Sequence, residues 1–306
     1  MLTAEGPQGL PRRRVLGFAL GLAGATCLSS HAWGQGPARV VTLFQGATDT
    51  AVALGVRPCG VVDSWSEKPM YRYLRPALAG VPHVGLETQP SLEDIALLQP
   101  DLIVASRFRH ERVAGLLSRL CPTVMLEEVF DFQKTLAVMG QALQHEAQAA
   151  ALQGAWNARV ARLRERLQAR FGAHWPPTVS VLDIRDDHLR AYLPTSFAGM
   201  VLSQLGFVWN RYSQTASGVS LKISNRESLP AVDADVFFVF GHGDGPAVQR
   251  QYRSVSGHPL WQHLAAPRDG QVWWVDGVAW ILSGGILGAQ RVLDEVEQAL
   301  LGGPGQ

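Results

Sequence analysis

The stretch that most constrains this fold lies in the middle of the chain. From Glu146 to Phe171, apolar residues recur every three or four positions, which places them on one face of an α-helix. At 1.5 Å per residue such a helix is roughly 40 Å long, which is long for a globular protein. Its other face is rich in arginine and is expected to be solvated. The stretch is therefore predicted to be a rigid helix between the parts of the chain that precede and follow it.

Strand and helix patterns alternate on both sides of this helix. Short apolar runs such as 102–105 and 236–240 are typical of strands covered on both faces, as in parallel sheets. The predicted fold class is α/β, with two lobes that each hold a mostly parallel sheet flanked by helices, joined by the long helix. The expected boundaries are an N-terminal lobe at 35–131, interlobe helices at 132–172 and a C-terminal lobe at 173–306.

Three local features carry further expectations. Thr48 or Asp49 is predicted to cap a helix that ends at Leu54, because short polar side chains satisfy the first backbone N–H groups of helices. Residues 66–90 contain four prolines and are predicted to be a loop. Cysteines 59 and 121 begin strands expected on opposite edges of one sheet, about three inter-strand steps apart. That is too far for a disulfide, so both are expected to be free, buried thiols.

The first 34 residues resemble an export signal. Three arginines at 12–14 precede an apolar run at 17–28 that is too short to span a membrane, and small residues at 32 and 34 suit a cleavage site. The paired arginines followed by Val and Leu are similar to a twin-arginine signal, which predicts export of the folded protein to the periplasm. Cys27 leaves lipidation open, although Thr26 before it fits that pattern poorly.

Charge and missing motifs exclude several functions. The first 34 residues hold three arginines and one glutamate, which leaves 24 basic and 25 acidic residues, so no nucleic-acid partner is expected. The sequence has no GxxxxGK[ST] loop, no GxSxG elbow and no HExxH motif. The glycine-rich run at 241–245 suits a strand-to-loop turn better than a dinucleotide site. Histidines and cysteines do not cluster with metal-ligand spacing.

An internal echo links the two predicted lobes. Glu93 lies in the first turn of a short predicted helix, eight residues before Asp101, which opens a buried strand. Glu227 and Asp235 repeat this arrangement with the same spacing. Acidic residues also favour the first turn of a helix through its dipole, which is the simpler explanation of each glutamate alone. The repeated placement favours two lobes of related fold.

The carboxyl ends of the strands are where open α/β sheets bind ligands. Arg107 and Arg109 flank Phe108, so in an extended segment both would point to one side, and paired guanidinium groups suit carboxylates. Trp65 and Trp280 are expected to provide flat apolar walls. The predicted ligand-binding residues are Gln45, Trp65, Arg107, Arg109, Arg185, Tyr212 and Trp280.

These features together resemble a known family. The runs at 85–95 and 100–104 are similar to the signature of class III periplasmic substrate-binding proteins, which serve ATP-driven importers of iron–siderophore complexes, ferric citrate, haem and cobalamin. The start of the mature chain near Arg39, the interlobe helix and residues 259–261 are similar as well. The resemblance is greatest to the ferric-citrate and ferric-hydroxamate subgroup.

The resemblance implies a binding protein of an ABC importer, not an enzyme. Two Rossmann-like lobes on one long helix would open little and hold a ferric siderophore, of citrate or hydroxamate type, in a shallow cleft. Iron would enter only within the chelate, so no cofactor and no protein-bound metal are implied. Glu93 and Glu227 match the glutamates that dock each lobe onto arginines of the inner-membrane permease dimer. The protein is expected to be a monomer.

Two departures from the family pattern affect the ligand. Glu87 stands where the subgroup usually has an arginine that reaches the anionic ligand, and residues 281–283 lack the arginine that citrate binders carry near Trp280. Arg109, Arg185 and Trp280 do match. The cleft is therefore expected to be less basic than a tricarboxylate binder requires, so a hydroxamate-type or larger chelator is as plausible as citrate.

Three alternatives remain open at this point. One is a haem or cobalamin carrier of the same class, for which Tyr71, Tyr212 and His242 are available as haem ligands. Another is an exported α/β enzyme, which the missing nucleophile–base motifs disfavour. The third is a sensor or docking module that kept the fold and lost the ligand.

Overall fold

The computed structural model describes residues 36–243 and 245–302, and the predicted export signal with Cys27 lies outside them. The strands in the described residues are β1 (Val40–Thr42), β2 (Gly60–Asp63), β3 (His83–Leu86), β4 (Gln89–Pro90), β5 (Leu102–Ser106), β6 (Thr123–Leu126), β7 (Thr178–Ile184), β8 (Leu189–Tyr192), β9 (Val208–Trp209), β10 (Ser220–Ile223), β11 (Val236–Gly241) and β12 (Val272–Trp274).

The α-helices surround these strands. They are α1 (Gln45–Ala53), α2 (Arg75–Leu78), α3 (Leu92–Leu97), α4 (Arg107–His110), α5 (Ala114–Leu120), α6 (Phe132–Ala142), α7 (Glu146–Phe171), α8 (Phe197–Leu205), α9 (Arg211–Thr215), α10 (Pro246–Ser256), α11 (Pro259–His263), α12 (Ala265–Arg268) and α13 (Ile286–Leu301). Short 3-10 segments at Glu111–Val113, Gly172–His174 and Arg226–Val232 and a π-helical turn at Val278–Leu282 complete the set.

The first sheet has the strand order β4-β3-β2-β1-β5-β6. Neighbouring strands are parallel except β3 and β4, which form a short antiparallel edge. Both of these strands and α2 lie within 66–90, so the predicted loop is wrong there. The prolines of this segment are tolerated because Pro76 stands at the start of α2 and Pro90 lies on the edge strand β4.

The second sheet has the order β10-β8-β7-β11-β12, and β9 pairs with β7. Strands β9, β7, β11 and β12 are parallel, whereas β8 is antiparallel to both of its neighbours, β7 and β10. The sequence patterns predict neither β8 nor β10 nor α10, because charged residues interrupt each of these short elements. Two sheets flanked by helices and linked through α6 and α7 confirm the predicted α/β class, while the predicted lobe boundaries stay predictions.

The long helix α7 has the predicted bounds and buries the predicted face. Trp156 and Leu163 on that face belong to one apolar cluster that also contains Val104 of the first sheet and Phe238 of the second. Trp156 additionally donates its indole N–H to Gln204 Oε1 of α8 at 2.8 Å. The core is therefore continuous from one sheet to the other through α7.

The arginine face of α7 is solvated only in part. Arg159 donates to the carbonyl oxygen of Gln290 at 3.2 Å and pairs with Asp294, and Arg166 pairs with Glu297. All three partners belong to α13, which also packs against α1, α6 and α8. A second helix thus lies along the first and contacts elements of both lobes.

The predicted cap of α1 is wrong, because that helix starts before Thr48 and has no side-chain cap. Asp49 instead accepts hydrogen bonds from the backbone N–H groups of Leu287 (2.8 Å) and Gly288 (2.9 Å), at the start of α13. The Tyr73 hydroxyl donates to the same carboxylate at 2.8 Å. Asp49 therefore caps a helix 238 residues further along the chain.

The internal echo has a structural counterpart. The Asp101 carboxylate accepts from the backbone N–H of Arg39 at 2.9 Å, just before β1, and Asp235 accepts from that of Thr178 at 2.7 Å, where β7 begins. In the first lobe the aspartate before β5 is thus hydrogen-bonded to the start of the neighbouring parallel strand β1. In the second lobe the aspartate before β11 is bonded in the same way to the start of β7.

The two cysteines in the described residues are free, as predicted. Cys59 precedes β2 and Cys121 precedes β6, and β1 and β5 lie between these strands. Two further expectations are wrong, since β2 is not an edge strand and both side chains are only partly buried.

Candidate functional site

A groove between the two sheets gathers strand ends from both lobes. Two adjoining cavities of about 1050 Å³ and 530 Å³ form it, a size that suits a medium-sized organic ligand. Residues that follow β2, β5, β7 and β11 line it, as expected for parallel strands. The two cavities are neighbours, and both are lined by Ser66, Arg185, Tyr192, His242, Ile281 and Leu282.

The wall from the first lobe is built around Arg109. Its Nε donates to Glu87 Oε1 at 3.1 Å, and its guanidinium lies 5.2 Å from the Trp65 ring and 4.8 Å from the Phe108 ring. Glu87 is 5% exposed and also accepts from the backbone N–H of Gln45 at 3.1 Å. Burial raises the pKa of Glu87, although Arg109 lowers it. The carboxylate at Nε and the two aromatic rings near the guanidinium group together fix the orientation of the Arg109 side chain.

The wall from the second lobe is built around Arg185. Its Nε donates to Oδ2 of the fully buried Asp183 at 2.9 Å, and His242 Nδ1 lies 3.7 Å from the same oxygen. Burial lowers the pKa of His242, Asp183 opposes this, and Arg185 and Arg190 lower it further. This wall therefore presents an oriented arginine beside a histidine whose neutral form is favoured.

More arginines than acidic residues line the groove, so Glu87 does not leave it short of basic side chains. It is lined by Arg72, Arg75, Arg109, Arg185, Arg190 and Arg253, against the acidic residues Glu67, Glu87 and Asp276. Sequence reasoning missed Arg72 and Arg75 because it singled out residues at the ends of predicted strands, and these two lie within the segment 66–90 that was expected to be a loop. It missed Arg190 on β8 and Arg253 on α10 because neither element was predicted.

Arg107 does not belong to the groove, because the segment after β5 is the helix α4 and not an extended strand. Successive residues of a helix are rotated by roughly 100°, so Arg107 and Arg109 point in different directions. Arg107 pairs with Glu111 at 2.7 Å and Glu127 at 3.2 Å on the surface and lines neither cavity.

Trp280 does not line the groove either. Its side chain is fully buried, its ring lies 4.6 Å from that of Phe238, and its indole N–H donates to Glu295 Oε2 at 3.0 Å. The π-helical turn that contains it directs the neighbouring Ile281 and Leu282 to the groove. The prediction of an aromatic wall at Trp280 is therefore wrong, and two aliphatic side chains occupy that place.

The other predicted residues divide in the same way. Gln45 and Trp65 line the smaller cavity, where the Gln45 amide donates to the carbonyl oxygen of Asp63 at 3.1 Å. Tyr212 on α9 is 60% exposed and lines neither cavity, so it lies outside the groove. Tyr192, which no motif marks, stands at the junction of the two cavities.

The docking candidates lie on the surface, apart from the groove. Glu93 is exposed in the first turn of α3, and Glu227 is exposed in the first turn of the 3-10 segment before β11. Ser91 caps α3 through the backbone N–H of Asp94, and Asn225 caps the other segment in the same way through Ser228. The two glutamates thus occupy equivalent local structures in the two lobes.

The described residues contain neither a metal-binding cluster nor a membrane-spanning helix. Within 36–243 and 245–302, no group of three or more His, Cys, Asp or Glu side chains is arranged to bind a metal ion. His110, which follows β5, is buried, with its Nε2 2.8 Å from the carbonyl oxygen of Glu87. The helices of the same residues include none with the length and apolar content needed to cross a membrane.

Comparison with known proteins gives a consistent result. The model of a family described as periplasmic binding protein matches residues 40–278. The achromobactin-binding periplasmic protein of Dickeya dadantii (strain 3937) is 63% identical over 288 residues, which are 93% of this chain and 94% of that protein. The Fe(3+) dicitrate-binding periplasmic protein of Escherichia coli (strain K12) is 28% identical over 262 residues, or 84% and 82% of the two chains.

A solved structure shows the same architecture. Staphylococcus aureus SirA complexed with staphyloferrin B has a TM-score of 0.84 and 36% sequence identity, with 88% of this chain and 94% of that chain covered.

Proposed function

Because this chain belongs to the periplasmic binding protein family, we propose that it binds a ferric siderophore in the groove between its lobes and delivers it to an ABC importer. The observation that carries the proposal is the 63% identity, along nearly the whole of both chains, to a protein named for binding achromobactin. The protein is a binding protein and not an enzyme, as its family and relatives are.

The charge of the groove supports an anionic chelate. Six lining arginines suit carboxylate oxygens, which guanidinium groups bind bidentately. Of the two ligand types that the sequence left open, a carboxylate-bearing chelate therefore fits better than a hydroxamate. Iron enters as part of this ligand, and its oxygen ligands come from the chelator.

Intrinsic fluorescence tests the ligand, because Trp65 and Trp274 line the groove. Ferric achromobactin and ferric staphyloferrin B are expected to quench the emission and to saturate at one ligand per chain, with weaker responses to ferric citrate, hydroxamates and catecholates. Haemin belongs in the same panel, because His242 lines the groove. No response to any ferric siderophore would overturn the proposal.

Delivery to the permease is the second part of the proposal. The exposed Glu93 and Glu227 occupy matching places on the two lobes, which suits docking onto basic residues of two permease subunits. Glu93→Arg and Glu227→Arg are expected to reduce iron uptake in cells without changing chelate affinity, whereas Glu165→Arg on the exposed face of α7 serves as the control. Undiminished uptake in both variants would remove the docking role.

The twin-arginine route and a monomeric state complete the proposal. Replacement of both Arg12 and Arg13 by lysine is expected to leave unprocessed precursor in the cytoplasm, as measured by cell fractionation. Export of that variant through the general secretory route would contradict the twin-arginine route. Sedimentation of the mature protein is expected to give the mass of one chain.

A further inference from the structure

Two buried carboxylates hold the groove arginines in the same manner. Glu87 accepts from Arg109 Nε at 3.1 Å in the first lobe, and Asp183 accepts from Arg185 Nε at 2.9 Å in the second. Glu87 is 5% exposed and Asp183 is fully buried, while the arginine side chains remain 27% and 20% exposed. Both arginines line the smaller cavity, one from each lobe.

We propose that Glu87 and Asp183 are positioning residues for ligand recognition. Each carboxylate holds the Nε edge of one arginine, so that the terminal amino groups of Arg109 and Arg185 face the anionic oxygens of one chelate from opposite walls. This inference rests on the proposed function and adds two residues that act on the ligand through the arginines they hold.

The geometry of the guanidinium group supports this role. It is a planar fork with five N–H donors, and a carboxylate at Nε leaves the terminal amino groups available for a second, bidentate acceptor. Trp65 and Phe108 lie near the Arg109 guanidinium, and no hydrogen bond of its terminal amino groups occurs within the described part of the chain. Its free edge is therefore the part that remains for a ligand.

Burial explains why the carboxylates need these partners. A buried carboxylate without a partner is costly, so each arginine compensates the charge beneath it. In return each carboxylate offsets the repulsion between two guanidinium groups that line one small cavity. The acidic residue at 87 thus supports anion binding through Arg109 instead of opposing it.

The sign of the effect separates positioning from simple charge. If only net charge mattered, removal of either carboxylate would make the groove more positive and strengthen the binding of an anionic chelate. If the carboxylates orient the arginines, removal of the acceptor weakens binding. Glu87→Gln and Glu87→Met both remove the charge, but only methionine removes the oxygen that accepts from Arg109, and Asp183→Asn and Asp183→Leu form the same pair.

The test is a fluorescence titration with ferric achromobactin, with thermal unfolding of each variant as the check on folding. Glu87→Met and Asp183→Leu are expected to bind about tenfold more weakly than the wild type, while the glutamine and asparagine variants stay within about threefold of it. Glu127→Met is the matched control, because Glu127 holds the Nε of Arg107 outside the groove at 3.2 Å.

Methionine and leucine variants that bind as tightly as their amide counterparts would overturn the inference. If either fails to fold, Arg109→Lys decides, since lysine keeps the charge and loses the planar fork: a tenfold loss supports positioning, and unchanged affinity overturns it. Failure of the wild type to bind any ferric chelate would instead reject the proposed function.

Discussion

At the scale of single residues, the arginines of this protein differ in how they are held. Arg109 is mostly buried, bonded to a buried carboxylate and placed beside two aromatic rings. Arg107, two residues away, makes two ion pairs with half-exposed partners on the surface. Exposed ion pairs contribute little, because solvent screens them and both side chains lose freedom. A fixed orientation, and not charge alone, distinguishes the residue in the groove.

Arg109→Ala is expected to weaken the binding of ferric achromobactin by roughly 2 kcal/mol, about 30-fold, because it removes charge-assisted hydrogen bonds and leaves Glu87 buried without its partner. Arg107→Ala is the control and is expected to change the affinity less than about twofold. Fluorescence titration at fixed ionic strength measures both. Equal affinities of the two variants would mean that Arg109 does not contact the ligand.

Trp280 belongs to the core, so its substitution should affect stability alone. Trp280→Phe loses the hydrogen bond to Glu295 and part of the packing on Phe238, and we expect a loss of about 1–3 kcal/mol in the free energy of unfolding. Urea denaturation measures this loss, and chelate affinity is expected to stay at the wild-type value. A large drop in affinity with unchanged stability would return Trp280 to the ligand site.

At the scale of secondary-structure elements, the joint between α1 and α13 stands out. Asp49 of α1 caps α13 with both carboxylate oxygens, and a Cβ atom at Gly285 would overlap that carboxylate. A carboxylate at the start of a helix also interacts favourably with the helix dipole. The C-terminal helix is thereby attached to the first lobe, although it follows the second sheet in sequence.

This joint predicts a pH-dependent stability. Burial raises the pKa of Asp49 from 3.8 to about 6, while hydrogen bonds from Leu287, Tyr73 and Gly288 lower it. The folded protein therefore holds this proton more tightly than the unfolded chain. The proton on Asp49 therefore stabilises the folded protein fully below about pH 4. This stabilisation, roughly 3 kcal/mol in the free energy of unfolding, is lost as the pH rises through 6.

Asp49→Asn tests this contribution, because asparagine does not titrate. The free energy of unfolding of the wild type, measured with urea from pH 4 to 7, is expected to fall relative to that of the variant across this range. Other titrating groups are common to both proteins and cancel in the difference. Parallel pH profiles would show that Asp49 has an ordinary pKa in the folded state.

At the scale of the whole molecule, the two lobes share one core. The apolar cluster that contains Val104 and Phe238 runs through α7, and α13 packs on α1, α6, α7 and α8. Domain closure by a wide hinge needs a few flexible residues between separate cores, whereas a packed core resists continuous deformation. The molecule is therefore expected to open and close only slightly.

Small-angle scattering tests this rigidity. Addition of saturating ferric achromobactin is expected to change the radius of gyration by less than about 1 Å, because the shared core limits the motion of the lobes. A ligand known not to quench fluorescence provides the control for non-specific effects. A decrease of several ångströms would indicate hinge closure and contradict a continuous core.

The features predictable from sequence are those set by neighbouring residues. The periodicity of α7 and the repeated spacing of Glu93 with Asp101 each depend on positions close together in the chain, and the structure shows the expected local arrangement. Arg109, Arg185 and Trp65 could be predicted as site residues for the same reason, because each closely follows a recognisable strand.

The composition of the groove was decided only by the tertiary structure. Arg190 and Arg253 reach it because strand pairing and helix packing bring distant segments together, and Trp280 is excluded by a single turn of irregular helix. Asp49 finds its partners 238 residues away, which no local pattern encodes. Sequence by itself determined the two lobes and their connecting helix, since hydrophobic periodicity acts within an element. The charge and shape of the binding surface depend on contacts between elements, and these exist only once the chain has folded.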